Sequence, residues 1–412
     1  MRHTTLHILL LAALTASAAE RPYLYNPKRI SVREHGFVDT IAVTYKDGRV
    51  WVPLRIGGRK ARFMLDTGAA LCTIEQGAAE LELTPLGTIA RATDANGVSQ
   101  QARVVALPEM ELGSIHITQM PALMQAGRGR KPQSHTSVPH HKATAEGTMQ
   151  QPELTGTLGF AIIACGLTAK LDLRAGHLIL TDRRDYFAAE GGSRVRYRHY
   201  LNTPEVPLTL AGRTRERAVL DTGNPHLLLL SAKSLARWQD EGSPVAAQVE
   251  ATTHGQAFTG AHGMEAMRRV DYVCLDPVAW ADVQLHSLRT ITTTGPTSIG
   301  AALSEHGAIV VDPHRTTITL QPYDNIRDIS LTTPYTDIYY AAQQDGRPYV
   351  SLVRPGSDQQ RQGMHAGDVV EAVNGTPMRT LMQLQRYPFV RGQAYTYTMR
   401  RGPVTYEATL IK

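Results

Sequence analysis

The sequence predicts a mainly β protein: two homologous β-barrel-like lobes in tandem, then a smaller C-terminal α+β module. Two observations carry this. A block of strand and turn features occurs twice, in the same order. Beyond residue 348 the pattern changes to strands punctuated by helix-start and hairpin-turn signals. Composition agrees. At about 150 residues per domain, 412 residues make two or three domains. With 42% apolar and 19% charged residues the chain is not disordered, and 34 Gly and 23 Pro exclude a collagen-like repeat. Three Cys exclude a disulfide scaffold. The formal charge of +6 is scattered, with no basic stripe among aromatics, so nucleic acid is not an expected partner. No run reaches the roughly 18 apolar residues of a membrane span.

Residues 1–19 read as a secretory signal peptide. Arg2 supplies the positive start, Ile8 to Leu14 the apolar core, and Ala16-Ser17-Ala18 a small-x-small cleavage site, with Ser17-Ala18-Ala19 as its neighbour. The alternative is a buried N-terminal helix. No Cys lies near the cleavage site for lipid attachment. Losing Arg2 lowers the formal charge to +5, and the mature chain is expected in the periplasm or outside the cell.

The lobes are expected at 20–195 and 196–328. Val52-Pro53-Leu54-Arg55-Ile56-Gly57-Gly58-Arg59 leads to Phe63-Met64-Leu65-Asp66-Thr67-Gly68, and Val206-Pro207-Leu208-Thr209-Leu210-Ala211-Gly212-Arg213 leads to Ala218-Val219-Leu220-Asp221-Thr222-Gly223. Each reads as a strand, a Gly turn and a second strand ending at Asp-Thr-Gly. Downstream, Leu158-Gly159 precedes Ala169-Lys170-Leu171-Asp172 and Leu178-Ile179-Leu180. Likewise Ile299-Gly300 precedes Ile309-Val310-Val311-Asp312 and Ile318-Thr319-Leu320. The repeat closes at Leu320, so the lobes are expected to fold, and to cleave short peptides, without residues 330–412.

Apolar-Asp-Thr-Gly followed by a distant apolar-Gly pair resembles the aspartic peptidases. Met64-Leu65-Asp66-Thr67-Gly68-Ala69 is similar to the retroviral, retropepsin-like signature, and two such units in one chain resemble the two-lobed pepsin arrangement. The resemblance covers nearly all of residues 45–325. It implies Asp66 and Asp221 as catalytic residues, with no metal and no organic cofactor. It also implies that Thr67 and Thr222 tie the two loops together.

The chemistry suits these residues. Hydrolysis needs an activated water and a polarised carbonyl; two facing carboxyls, one ionised and one protonated, supply both. At about 3 Å and an effective dielectric of about 20, two carboxylates repel by about 5 kcal/mol, so one proton is shared over a wide pH range. Gly68 and Gly223 let backbone N–H groups approach the carboxylates. Two positions depart from the pepsin pattern, which has Ser or Thr after Gly. Ala69 cannot donate to the outer carboxylate oxygen, and Asn224 is a candidate to do so. Fewer donors leave the dyad less acidic. The alternative function is a catalytically inactive peptide-binding or scaffold protein of the same fold. A third reading has residues 20–45 blocking the cleft.

A flap over the cleft is expected at Asp94-Ala95-Asn96-Gly97, a hairpin turn flanked by Ala90–Thr93 and Val98–Gln100, with an ordinary surface hairpin as the alternative. Neither Tyr nor Trp lies between Asp66 and Gly159, so the pepsin-type flap tyrosine is missing. Thr253-His254-Gly255-Gln256 is a weaker equivalent in the second lobe. Residues 125–153, with His135, His140 and His141 among Gly, Pro and Ser, read as a solvated loop, not a metal site, and as a candidate self-cleavage site. Cys72 takes the position of Leu227 in the repeat and reads as a buried thiol, a Cys72–Cys165 disulfide being the alternative.

In residues 330–412, Pro355-Gly356-Ser357, Gly363-Met364-His365-Ala366-Gly367-Asp368 and Asn374-Gly375 resemble the PDZ domains of bacterial envelope proteases. Thr336-Asp337-Ile338-Tyr339-Tyr340 lacks the Gly-rich carboxylate loop of that family, so a module that only packs is as well supported as one that binds a PDZ ligand. The expected protein is an exported, monomeric aspartic endopeptidase acting on peptides or proteins.

Overall fold

A computed structural model describes residues 21–76, 81–94, 96–124, 154–260 and 263–411. The signal-peptide reading, Ala95 and the 125–153 insertion lie outside them. Among the described residues no helix is long and apolar enough to cross a membrane.

Each half of the repeat starts from a hairpin. Arg49–Ile56 pairs with Arg59–Asp66 across Gly57-Gly58, both at positive φ (54° and 75°), a region open cheaply only to residues that tolerate left-handed backbone. Val50, Val52, Leu54 and Ile56 face inward on one strand, and Ala61, Phe63 and Leu65 on the other, because side chains alternate with period two. Burying each of the larger ones contributes about 1.5–3 kcal/mol. The second hairpin, Thr203–Leu210 with Thr214–Asp221, turns at Ala211-Gly212. Each hairpin grows into an eleven-stranded sheet of described strands.

A third, six-stranded sheet joins the lobes. Its order is Ser193–Arg196, Thr317–Pro322, Gly307–Asp312, Thr168–Asp172, His177–Thr181 and Val38–Ala42. The repeated Ala169-Lys170-Leu171 and Ile309-Val310-Val311 segments pair with each other at its centre. One apolar cluster therefore runs through both lobes. Residues 31–32, 38–42 and 44–46 are strands of these sheets, so that part of the 20–45 segment is built into the fold and does not block the cleft. Cys72, Cys165 and Cys274 are all free, and Cys72 is fully buried.

The C-terminal unit has a sheet ordered Ile338–Ala342, Pro348–Val353, Val369–Val373, Ala394–Arg401, Val404–Ile411. Its helix Asp358–Arg361 starts at a Ser357 cap, and Leu381–Gln385 starts at a Thr380/Gln383 capping box. It has its own core around Val350, Val370, Tyr397 and Met399. A separate cluster joins its Leu352 to Val270, Tyr272 and Ile291 of the second lobe.

Candidate active site

Asp66 ends the strand Arg59–Asp66, and Asp221 ends Thr214–Asp221. Leu154–Gly159 runs parallel to the first strand and places Gly159 beside Asp66; Ser298–Gly300 places Gly300 beside Asp221. The strands that follow each aspartate, Cys72–Gln76 and Leu228–Ser231, return antiparallel on the far side of those strands. The chain after each aspartate must therefore cross over the glycine. A Cβ on Gly159 would sit 2.9 Å from the Ala69 oxygen, and one on Gly300 would overlap the Asn224 and His226 oxygens. That crossing is why an apolar-Gly pair stands there.

The two loops are locked to each other through buried threonines. Thr67 N–H donates to Thr222 Oγ1 at 3.0 Å, and Thr222 N–H to Thr67 Oγ1 at 3.1 Å. Each hydroxyl then donates across the interface, Thr67 Oγ1 to the Leu220 oxygen at 2.6 Å and Thr222 Oγ1 to the Leu65 oxygen at 2.8 Å. Asp66 Oδ1 accepts from Gly68 and Ala69 N–H at 2.9 and 3.0 Å; Asp221 Oδ1 accepts from Gly223 and Asn224 N–H at 3.0 and 3.2 Å. The carboxyls also hydrogen-bond to each other. Each glycine lies against the opposite carboxyl: a Cβ at Gly68 would fall 2.5 Å from Asp221 Oδ1, and one at Gly223 2.5 Å from Asp66 Cγ.

Burial holds Asp66 above the ordinary carboxylate range, partly offset by its hydrogen bonds and by Arg49. Burial holds Asp221 well above that range, and the Asp66 charge pushes it further. Both carboxyls are thus held above the ordinary range, and the proton they share belongs to the pair.

Asn224 corrects an expectation. Its side chain donates to Ser298 Oγ at 3.1 Å and accepts from His226 N–H at 2.9 Å, so only its backbone serves Asp221. In the tight crossing over Gly300 the His226 N–H takes the side chain's oxygen, and the Ser298 hydroxyl takes its NH2 group.

The residues around Asp94, Asn96 and Gly97 form the tip of the hairpin Thr84–Thr93 and Ser99–Ala106. Asp94 Oδ1 accepts from Asn96 and Val98 N–H, both at 3.0 Å. The tip reaches the second lobe: Asn96 Nδ2 donates to the Gly263 oxygen at 3.2 Å, and Thr294 Oγ1 donates to the Asn96 oxygen at 3.1 Å. Thr253, His254 and Gly255 lie in the strand Val249–Gly255, and the loop that meets the tip comes after them.

Sequence reasoning missed Arg49 and His226. Trp51 pairs with Met64, so the same register carried two residues on sets Arg49 opposite Asp66, whereas Thr203 stands opposite Asp221. Counting the hairpin register would have found it. His226 is pushed down to about 4 by burial, with Arg49 adding to the effect. Among the described residues no group of three or more His, Cys, Asp or Glu is arranged to hold a metal ion.

Residues 52–158 match a family model described as Aspartyl protease. No curated protein matches the chain in sequence. Among solved structures, basic 7S globulin from soybean is similar at 13% identity, with 69% of this chain and 94% of that chain covered and a TM-score of 0.35. An aspartic proteinase from Irpex lacteus is similar at 10% identity, with 69% and 97% covered and a TM-score of 0.39. The family match, together with two Asp-Thr-Gly loops locked across one interface, makes this an aspartic-peptidase-like fold.

Proposed function

We propose that the protein is an exported aspartic endopeptidase, and that Asp66 and Asp221 hydrolyse peptide bonds through a water held between them. The observation that carries this reading is the pair of carboxyls hydrogen-bonded to each other, each cradled by two backbone N–H groups. Asp66, as the ionised partner, takes a proton from the water as the water's oxygen attacks the carbonyl carbon. Asp221, protonated, donates to the carbonyl oxygen. Collapse of the tetrahedral intermediate then breaks the C–N bond: Asp66 gives the nitrogen the proton it took from the water, and the former carbonyl oxygen returns its proton to Asp221. The threonine lock keeps the carboxyls in register, so little reorganisation accompanies the step. The flap tip around Asn96 covers the cleft and must lift to admit a chain. The C-terminal unit is read as a PDZ module, and export rests on residues 1–19.

A peptide-library digest with and without pepstatin tests the assignment. Pepstatin-sensitive cleavage at internal bonds is the expected result; no cleavage by the folded protein at any pH favours the inactive peptide-binding alternative.

The pH profile has a definite sign. The active dyad holds one proton. Activity falls above the higher macroscopic pKa, where that proton leaves, and below the lower one, where a second binds. Burial moves both carboxyls upward, and the side chains of Ala69 and Asn224 add no donor to pull them back. The kcat/KM maximum is expected in the mildly acidic range, closer to neutral than a dyad with more donors would give. A bell centred near pH 2 contradicts this account.

A further inference from the structure

The loop that receives the flap tip is held on three sides, and one of the three is the C-terminal unit. At its base the buried Glu265 carboxylate accepts from Ala257 and Phe258 N–H at 2.6 and 3.1 Å and from Arg268 Nε at 2.7 Å. Arg268 in turn donates to the Thr292 oxygen at 2.7 Å, which anchors the base to the neighbouring strand. At the tip, Thr259 pairs with Met264 and Gly260 with Gly263, and Asn96 of the first lobe donates to the Gly263 oxygen.

The third side belongs to the strands Ile338–Ala342 and Pro348–Val353. Gln256 N–H donates to the Ser351 oxygen at 2.9 Å, and Tyr349 OH donates to Gln256 Oε1 at 2.7 Å. The approach is close enough that a Cβ on Gly255 would sit 2.5 Å from both the Ser351 oxygen and Leu352 Cδ1. Leu352 is fully buried against Val270, Tyr272 and Ile291 of the second lobe. Tyr339 and Tyr340 are consecutive strand residues and point to opposite faces, so they serve different cores. Tyr340 packs into the C-terminal unit, and Tyr339 packs against the second lobe.

From Tyr339 an aromatic line runs to the dyad. The Tyr339 and Phe258 rings meet edge to face at 6.4 Å, and the Phe258 and His226 rings at 5.9 Å. His226 N–H is held by the Asn224 side chain, and Asn224 N–H is one of the two donors to Asp221.

We propose that the C-terminal unit is a fixed wall of the substrate cleft, in which Tyr339 is a positioning residue that holds Phe258 and His226 against the Asp221 loop. The inference rests on the peptidase reading for its kinetic consequence only. It replaces the expectation that the two lobes work alone once the second repeat closes at Leu320. Without residues 330–412 the Gln256–Glu265 loop loses its Ser351 and Tyr349 partners, and Val270, Tyr272 and Ile291 lose their cover. It also makes the closure lopsided: the Asn96 tip is the side free to lift, while the second-lobe side is braced from behind.

The test uses full-length protein with Tyr339→Ala and Tyr339→Phe. Two quantities are read: kcat and KM on a short fluorogenic peptide, and backbone hydrogen exchange over residues 224–228 and 256–260. An edge-to-face aromatic contact is worth roughly two- to twelve-fold in an equilibrium. Tyr339→Ala is therefore expected to raise KM by about five-fold, with kcat within about two-fold of wild type, and to speed exchange in both segments. Tyr339→Phe keeps the ring and is expected to restore both. Val404→Ala, at an exposed position of the same unit, is expected to change neither. Wild-type KM and wild-type exchange in a cooperatively folded Tyr339→Ala protein overturn the proposal, as does an equal loss in the Phe variant. If the wild type cleaves nothing, the peptidase reading fails and exchange alone decides the brace: faster exchange in Tyr339→Ala supports it, and unchanged exchange overturns it.

Discussion

Asp66→Asn and Asp221→Asn each lower kcat/KM by about 10³-fold or more while leaving a folded protein, because groups that act as one unit fail together. Asn is close in shape to Asp, and its Oδ1 can still accept from the two loop N–H groups that hold each carboxyl. What it lacks is the exchangeable carboxyl proton. An amide at position 66 cannot take the proton from water, and one at 221 cannot supply the acid. Substantial turnover by either purified variant would remove the assignment. Stability moves the other way, and its sign follows from linkage. Asp221 has a folded pKa raised above its unfolded value, so its favourable contribution is fully present below the unfolded pKa and is lost as pH rises through the folded one. At neutral pH the wild type bears the cost of ionising a buried group beside Asp66, about 1.4 kcal/mol for each pKa unit of the rise. Asp221→Asn has no such cost. Its melting temperature is expected to exceed that of wild type at pH 7 and to converge with it near pH 4. A variant that is less stable than wild type at pH 7 would contradict the raised pKa.

Gly68→Ala and Gly223→Ala are expected to cost about 10²-fold in kcat/KM, the scale of a 1 Å misplacement of reacting groups. Neither glycine has positive φ, so the substitution meets no backbone strain, and the whole effect is steric. The added methyl at 68 would lie 2.5 Å from Asp221 Oδ1, and at 223 it would lie 2.5 Å from Asp66 Cγ. Each must push the opposite carboxyl away, and the threonine lock only one residue distant leaves little room to relax. Gly97→Ala is the contrast. Nothing lies within 4 Å of a Cβ there, and its φ of 76° makes the penalty one of local backbone strain at the flap tip. Equal activity in all three variants would mean that the carboxyls are not packed against the facing glycines.

The sequence carried the local half of this architecture. Gly57-Gly58 and Ala211-Gly212 announce their hairpins because only a few residues enter the left-handed region cheaply. The alternation of Val50, Val52, Leu54 and Ile56 marks an inward face because strand side chains repeat every two residues. Cys72, matched to Leu227 by the repeat, is buried as an aliphatic residue would be. Most of the loop around each aspartate was legible for the same reason, since Asp-Thr-Gly serves its own carboxylate through N–H groups two and three residues away. Asn224 was the exception. Whether its amide reached the Asp221 carboxyl or Ser298 depended on a strand 74 residues later in the chain.

By itself, then, the sequence determined the duplication, the two Asp-Thr-Gly turns and the strands that flank them, all of which depend on contacts a few residues apart. Tertiary structure alone decided that Ala169-Lys170-Leu171 pairs with Ile309-Val310-Val311, making one sheet out of two repeats. It also decided that the Arg49 charge acts on Asp66 and His226, that Asn96 reaches Gly263, and that Tyr339 stands behind Phe258. The physical reason is common to these cases. A strand's pattern states which face is apolar, but not which other strand will cover it. That choice is made when whole sheets compete to bury their faces, and a loop's polar side chains then bond to whatever the packing brings within reach.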